Sequence, residues 1–129
     1  NATPSANSTA AVALLRLAAL TGESRYANHA ERILQLVAPL TPRAPSAFAN
    51  ALAALALHTR GITEVAVAGE RADLLTVARE RWRPRMVLAW GERYDSPLWE
   101  GRGDGLAYVC EHYTCQAPAA TPELLRAQL

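Results

Sequence analysis

The hydrophobic pattern of the first sixty residues predicts three helices that differ in how many of their faces are apolar. Residues 7–20 begin with Asn-Ser-Thr, which favours a helix start, and continue as an apolar run with one charge, Arg16. Residues 24–38 place apolar side chains on one face only, as in a surface helix. Residues 45–60 are again rich in alanine and leucine. This alternation predicts stacked helical hairpins in which one ring of helices lies inside another.

From residue 62 onward the pattern changes to short strands. Residues 62–68 are rich in β-branched side chains, residues 73–82 predict a helix, and residues 86–90 form a second apolar strand. A strand, a helix and a strand in succession predict a parallel pair with a right-handed crossover. The pattern then predicts three more elements: an exposed connection at residues 92–105, a strand at 106–110 and a terminal helix at 121–129.

These elements predict an α+β fold that is predominantly helical. We expect residues 1–60 to form a helical hairpin segment, and residues 61–129 to form a small α/β subdomain with a parallel β-α-β unit and a C-terminal helix. A helix that is apolar on nearly all sides must be buried on nearly all sides, which a solitary hairpin does not provide. The first segment is therefore expected to need neighbours.

Composition excludes several classes of function. The 129 residues are 50% hydrophobic with a net charge of +1, which gives no argument for nucleic acid or an anionic membrane as a partner. All thirteen basic residues are arginine, so a Schiff-base lysine and a P-loop lysine are excluded within this chain. No apolar run is long enough to span a membrane and nothing resembles a signal peptide, so we expect a cytoplasmic protein. The chain opens with Asn1 and its single methionine is Met86, so we expect a piece of a longer protein.

Cys110 and Cys115 carry the most distinctive chemistry. His112 lies between them, and thiolates with an imidazole are suitable zinc ligands, but a structural zinc site needs four ligands and the other histidines, His29 and His58, lie on early helices. A redox pair would favour Cys-x-x-Cys at a helix start. We therefore predict two reduced, largely buried thiols, with a metal site and a redox pair as alternatives. We predict no bound metal and no cofactor.

The two early strands end in the same tripeptide, Gly-Glu-Arg. The candidate ligand residues are Glu70, Arg71, Glu92 and Arg93. They are expected at the carboxyl edge of the parallel strands, where open sheets usually bind ligands, and Cys110 is expected to reach the same edge. An arginine pair there would suit a carboxylate or phosphate, but one glycine per turn falls short of a dinucleotide fingerprint.

The loop before the first helix contains the polar residues Ser5, Asn7 and Ser8. Asn7 or a hydroxyl group can cap the helix, and the same residues are candidates for lining a central cavity. We favour capping.

Two separated stretches of the sequence resemble one family. Residues 4–8 (Pro-Ser-Ala-Asn-Ser) lead into residues 11–17, and residues 107–118 contain Ala-Tyr-Val-Cys and Cys-Gln-Ala-Pro. Both are similar to the C-terminal portion of the spermatogenesis-associated thioredoxin-like proteins. The likeness covers most of the chain, and both cysteines match it. Ala6 stands where the family pattern has glycine, and His112 stands where it usually has another polar residue.

The resemblance implies a parent protein with an N-terminal thioredoxin-like domain and a six-hairpin (α/α) toroid, similar to glycosidases and N-acylglucosamine 2-epimerase. Residues 1–60 would then close the toroid, and the chain would be a C-terminal structural fragment whose family has no securely known activity. The opening helix has no acidic residue before Glu23, so we assign no catalytic residue.

Two alternative functions remain open at this point. The chain is part of a carbohydrate-active, epimerase- or glycosidase-like enzyme whose cavity includes Asn7, or it is a thiol- or metal-dependent module at Cys110 and Cys115. The expected partner is the remainder of the parent protein or another copy of the chain, with a small-molecule ligand as a further candidate. We expect no nucleic acid and no membrane, and self-association rather than a monomer.

Overall fold

The structure, a computed structural model, describes residues 4–111 and 114–129. It divides into two compact units, Asn1–Gly61, here called the helical unit, and Ile62–Leu129, here called the sheet unit. Helices contain more residues than strands, which confirms the predicted α+β class with predominant helix. Among the described residues, no helix has the length and apolar character needed to cross a membrane.

Over residues 4–61, the helical unit has three α-helices. They are α1 (Ala6–Thr21), α2 (Ser24–Val37) and α3 (Ala49–Arg60), and the 3-10 helices Ala38–Arg43 and Pro45–Phe48 connect the last two. Helix α1 ends at Gly22, whose positive φ of 73° lets its N–H bond to the carbonyl of Ala18. Helix α1 packs against both α2 and α3. All three predicted helices are therefore confirmed.

Burial in the helical unit is confined to one face of each α-helix. The buried apolar residues are Ala11, Leu15, Ala30, Leu34, Ala51, Ala54 and Leu57. Most are alanines, which let helices approach closely because they have little side-chain volume. The apolar character of α1 and α3 continues beyond these faces, and Leu17 and Leu52 remain 41% and 39% exposed. Residues 4–111 and 114–129 therefore do not provide the burial on nearly all sides that the pattern of α1 and α3 demands.

Over residues 62–111 and 114–129, the sheet unit has four strands and two α-helices. In chain order they are β1 (Thr63–Val67), α4 (Ala72–Arg79), β2 (Met86–Trp90), β3 (Ala107–Glu111), β4 (Thr114–Cys115) and α5 (Pro122–Gln128), with the 3-10 helix Pro97–Trp99 between β2 and β3. The spatial order is β2-β1-β3-β4. Strand β1 pairs in parallel with β2, which confirms the predicted pair, and antiparallel with β3.

The antiparallel direction of β3 overturns one expectation. Cys110 pairs with Glu64 near the start of β1, while Ala107 pairs with Val67 at its end. Cys110 therefore lies away from the carboxyl edge that carries the Gly-Glu-Arg tripeptides, and the prediction that it reaches that edge is wrong. Strand β4, which pairs antiparallel with β3, was not predicted.

The two faces of the sheet present different residues and pack against different elements. One face forms a hydrophobic core with α4 and α5, made of Val65, Val67, Leu74, Val77, Ala78, Ala107, Val109, Ala119 and Leu125. Because strand side chains alternate between faces, Ala66, Tyr108 and Cys110 lie on the other face, where all three are also buried. The 3-10 helix Pro97–Trp99 lies near β1. Strand β3 is therefore buried on both faces up to Cys110.

Adjacent leucines on α5 test this core. Leu125 is fully buried, whereas Leu124 is 51% exposed. We expect Leu125→Ala to lower the free energy of unfolding by about 2–5 kcal/mol, because it leaves a cavity in the core. Leu124→Ala is the matched control, with an expected change within about 0.5 kcal/mol. Urea unfolding followed by circular dichroism measures both, and equal losses would contradict this assignment of the core.

Candidate functional site

Arg71 joins three segments at the carboxyl edge of the sheet. Its Nη1 donates to the carbonyl oxygen of Gly105, and its Nη2 donates to the carbonyl oxygen of Ala120 at 2.9 Å. Its Nε and Nη2 also donate to the two carboxylate oxygens of Asp73, at 2.9 and 2.7 Å. The guanidinium thus links the end of β1 to the loop before β3, to the start of α4 and to the segment before α5.

The Arg71–Asp73 pair is charged over the ordinary pH range. Hydrogen bonds from Arg71 are the main cause that lowers the pKa of the Asp73 carboxyl from 3.8 to about 2. The same hydrogen bonds raise the pKa of Arg71. Both side chains are therefore ionised wherever the protein is expected to work, and the bidentate geometry fixes the guanidinium against the loop it holds.

Arg93, the second candidate of the edge, contacts the same loop. Its Nη2 donates to the carboxylate of Asp104 and, at 3.0 Å, to the carbonyl oxygen of Arg102, and its guanidinium lies 5.7 Å from the ring centroid of Trp99. Glu70 and Glu92, the remaining candidates, are exposed. The structure therefore brings Arg71 and Arg93 to residues 102–105, and these residues of the chain itself accept the hydrogen bonds that a ligand would otherwise accept.

Gly69 allows this loop to approach the end of β1. It has a φ of 78°, and a Cβ added there would lie 3.1 Å from the Gly105 nitrogen and 3.2 Å from the Asp104 Cβ. The Gly105 N–H donates to the Ala68 carbonyl at 2.8 Å. A side chain at position 69 would push the loop away from these bonds, so the glycine serves the packing of the loop.

The polar residues before α1 act mainly as a helix cap. Ser5 is the N-cap residue, and its Oγ accepts a hydrogen bond from the backbone N–H of Ser8 at 3.2 Å. The Oγ atoms of Ser5 and Ser8 are 2.8 Å apart, and Ser8 is buried. Asn7 is exposed. Capping by a hydroxyl group is confirmed, and the hydroxyl groups of both serines already have hydrogen-bond partners.

Cys110 and Cys115 form a disulfide, so the prediction of two reduced, largely buried thiols differs from the structure. Their Cα atoms lie 4.0 Å apart because the β3–β4 register places the two residues directly opposite each other. Cys110 is 3% exposed, whereas Cys115 is exposed. The separation of five residues is short enough for a hairpin, and this was the sequence signal that could have identified the bond. Closing so short a loop contributes about 2 kcal/mol to stability.

The disulfide also bears on the metal alternative. Sulfurs bonded to each other are not thiolates, and zinc binds the thiolate. His112 lies outside the described residues, and residues 4–111 and 114–129 contain no group of three metal-ligating side chains.

Arg102 lies against the disulfide, and sequence reasoning missed it because no motif surrounds it. Its Nη2 donates to the Sγ of Cys110 at 3.3 Å and to the Sγ of Cys115 at 3.0 Å. Its Nε donates to the carbonyl oxygen of Leu98 at 3.3 Å, and its guanidinium carbon lies 4.5 Å from the ring centroid of Tyr108. One arginine is thus held on two sides and directed at both sulfurs.

The sheet unit also has a cavity of about 350 Å³ that the sequence did not predict. It is lined by Thr63, Trp82, Arg83, Pro84, Arg85, Met86, Val109, Glu111, Gln116, Gln128 and Leu129. Charges of both signs, from Arg83, Arg85 and Glu111, lie among apolar side chains. Arg83 donates through Nε to the backbone oxygen of Leu129 at 3.3 Å. Its guanidinium therefore already holds the residue that follows α5.

The Arg71–Asp73 pair predicts a pH-dependent contribution to stability. Because the folded-state pKa of Asp73 lies below its unfolded value, this contribution is complete above about pH 4 and is lost as the pH falls through 2. We expect Asp73→Asn to destabilise the protein at pH 6 and to have progressively less effect between pH 4 and 2, measured by urea unfolding. In an Arg71→Gln background, Asp73→Asn should have little further effect at either pH. An Asp73→Asn effect independent of pH would contradict the ion pair.

Comparisons with known proteins do not place this chain in a family. No family model, no curated protein and no solved structure matches it. The contacts of its own side chains are therefore the basis for any functional assignment.

Proposed function

We propose that the helical unit is a docking segment: the chain is the C-terminal structural part of a larger thioredoxin-like, six-hairpin toroid protein, and other helices of the same parent chain cover its apolar faces. The observation that carries the proposal is the exposure of large apolar side chains in this unit. The exposed leucines are Leu17, Leu36, Leu40 and Leu52.

The distribution of polar residues supports docking of α1 and α3 in particular. Helix α2 directs arginine, asparagine, histidine and glutamate side chains to solvent, with Leu36 as the exception near its C-terminal end. Helices α1 and α3 expose alanine together with Leu17 and Leu52 over their middle turns, and their exposed polar residues lie at one end of each helix, residues 7 and 9 in α1 and residues 58–60 in α3. A helix that exposes alanine and leucine over its middle turns is typical of an inner helix, and one that exposes charged residues throughout is typical of an outer helix.

The free energy gained by covering apolar surface supports one of the two expected partners over the other. Covering the exposed parts of four leucines contributes about 4 kcal/mol for each chain, since full burial of one leucine contributes about 2 kcal/mol. A symmetric dimer covers these leucines on both copies and gains about 8 kcal/mol. Association of two separate chains opposes this with a loss of translational and rotational freedom of about 4 kcal/mol or more. Helices in the same chain avoid most of that loss because they are already held at an effective concentration near millimolar. The parent chain is therefore the partner that we propose, ahead of a second copy.

The role assigned to the chain is architectural. The capping contacts of Ser5 and Ser8 leave Asn7 as the single remaining candidate for a sugar site, which does not support a carbohydrate-active alternative. Arg71 and Arg93 hold the chain's own loop, so they do not support a separate small-molecule site at the sheet edge.

The size of the protein in its native cells tests the proposal directly. An antibody raised against this chain is expected to detect a band several times larger than 13.9 kDa on a denaturing gel, because the docking helices belong to the same polypeptide. The isolated chain serves as the size standard. A single band at 13.9 kDa would overturn the proposal.

Substitutions at the exposed leucines test which face is covered. In the isolated chain, Leu17→Gln with Leu52→Gln should change the free energy of unfolding by about 1 kcal/mol or less per site, because 41% of Leu17 and 39% of Leu52 already face water. In the full-length protein each substitution should destabilise by about 1–3 kcal/mol, because a polar amide would then be buried without a partner. Thermal unfolding of both forms gives the comparison.

Leu124→Gln on α5 is the matched control, since Leu124 is also half-exposed but lies in the sheet unit. It should have the same small effect in both forms. If Leu17→Gln and Leu52→Gln also behave identically in the isolated chain and in the full-length protein, these faces are not covered by the parent chain.

A further inference from the structure

The contact between Arg102 and the Cys110–Cys115 disulfide sets a full positive charge against two neutral sulfur atoms. A neutral disulfide sulfur is a weak hydrogen-bond acceptor, so the guanidinium gains little from it in the oxidised protein. A thiolate at the same position carries a full negative charge and accepts a charge-assisted hydrogen bond, which is roughly twice as strong as a neutral one. The arrangement of Arg102 therefore matches the reduced state of the cysteines better than the oxidised state.

Arg102 does not need to move to meet that charge. Its Nη2 already lies 3.3 Å from the Cys110 sulfur and 3.0 Å from the Cys115 sulfur. The Leu98 carbonyl holds its Nε, and the ring of Tyr108 covers its planar face. The Tyr108 hydroxyl is in turn fixed by the backbone of Gly103, accepting from its N–H at 2.8 Å and donating to its carbonyl at 3.2 Å. A donor held in place in this way stabilises a developing charge without first being reorganised.

The two sulfurs differ in how they can be reached. Cys115 is exposed, whereas Cys110 is 3% exposed, so Cys115 is the cysteine at which we expect an external thiolate to attack. Attack on the Cys115 sulfur makes Cys110 the leaving group. A leaving thiolate that is stabilised by a nearby cation departs faster.

We propose that the Cys110–Cys115 pair is a thiol–disulfide exchange site for external thiols, in which Arg102 stabilises the leaving Cys110 thiolate. The thiolate of an external thiol attacks the Cys115 sulfur, a new sulfur–sulfur bond forms, and the Cys110–Cys115 bond breaks with its electron pair on Cys110. A second external thiolate attacks the mixed disulfide and releases Cys115 as a thiolate. Two electrons reduce the protein disulfide, and the two external thiols are oxidised to their disulfide.

One acidic residue opposes this effect. Glu64 is the cross-strand partner of Cys110 on β1, so the two side chains lie on the same face of the sheet. Its negative charge disfavours a thiolate at Cys110, and Arg102 and Glu64 therefore act in opposite directions. Removing the charge of Arg102 and removing the charge of Glu64 are therefore expected to shift the equilibrium between disulfide and dithiol in opposite directions.

The test is equilibration of the protein with mixtures of reduced and oxidised glutathione, followed by alkylation of free thiols and mass spectrometry. We expect the disulfide to be reducible by glutathione. Arg102→Gln should shift the equilibrium about tenfold toward the disulfide, which corresponds to about 30 mV, and should slow reduction. Arg102→Lys, which keeps a positive charge, should have an equilibrium and a reduction rate between those of the unchanged protein and of Arg102→Gln. Glu64→Gln should shift the equilibrium toward the dithiol.

Arg79→Gln is the control for loss of an arginine, because Arg79 lies over the ring of Trp90 on β2, which β1 separates from the strands that carry the disulfide. It should leave the equilibrium unchanged.

Circular dichroism identifies variants that fail to fold, and Glu64→Gln then provides an independent measurement. A disulfide that resists glutathione but is reduced by a phosphine, or an Arg102→Gln variant with unchanged equilibrium and rate, would overturn the proposal. Neither result bears on the docking of the helical unit, which rests on different residues.

Discussion

The pairing of β1 on both of its edges is the constraint on which the sheet unit depends. Its backbone bonds to β2 in parallel and to β3 antiparallel, and its last three residues are buried. A central strand of this kind has no freedom of register, because a shift by one residue would exchange its two faces. The positions of α4, of the loop at residues 102–105 and of the Cys110–Cys115 hairpin all follow from it.

Much of the fold could be predicted from the sequence because its signals are local. The apolar run of α1, the single apolar face of α2 and the β-branched run of β1 each lie within one element. The direction of β3 was only partly predictable, since the connection that precedes it is long enough for either direction. It contains the 3-10 helix Pro97–Trp99 rather than an α-helical crossover, and the antiparallel arrangement follows that connection.

The candidate site was less predictable because its contacts are not local. The sequence places Arg71 and Arg93 at the carboxyl edge correctly, but it does not reveal that residues 102–105 return to that edge and bind both side chains. Arg102 has no motif, and its role follows from the distance to two sulfurs and from the ring of Tyr108. One short segment thus connects the edge of the sheet to the disulfide, and only the folded chain brings these groups together.

The place of β1 in the chain has a consequence for synthesis on the ribosome. Strands β1 and β2 can pair with each other and pack against α4 as soon as β2 has emerged, but the second edge of β1 stays open until β3 follows. The intervening stretch takes about one to three seconds to translate at ordinary elongation rates. During that interval the nascent chain presents an unpaired apolar strand edge, which is a template for pairing with other chains. The length of the connection between β2 and β3 therefore sets how long the growing polypeptide is exposed to misassembly.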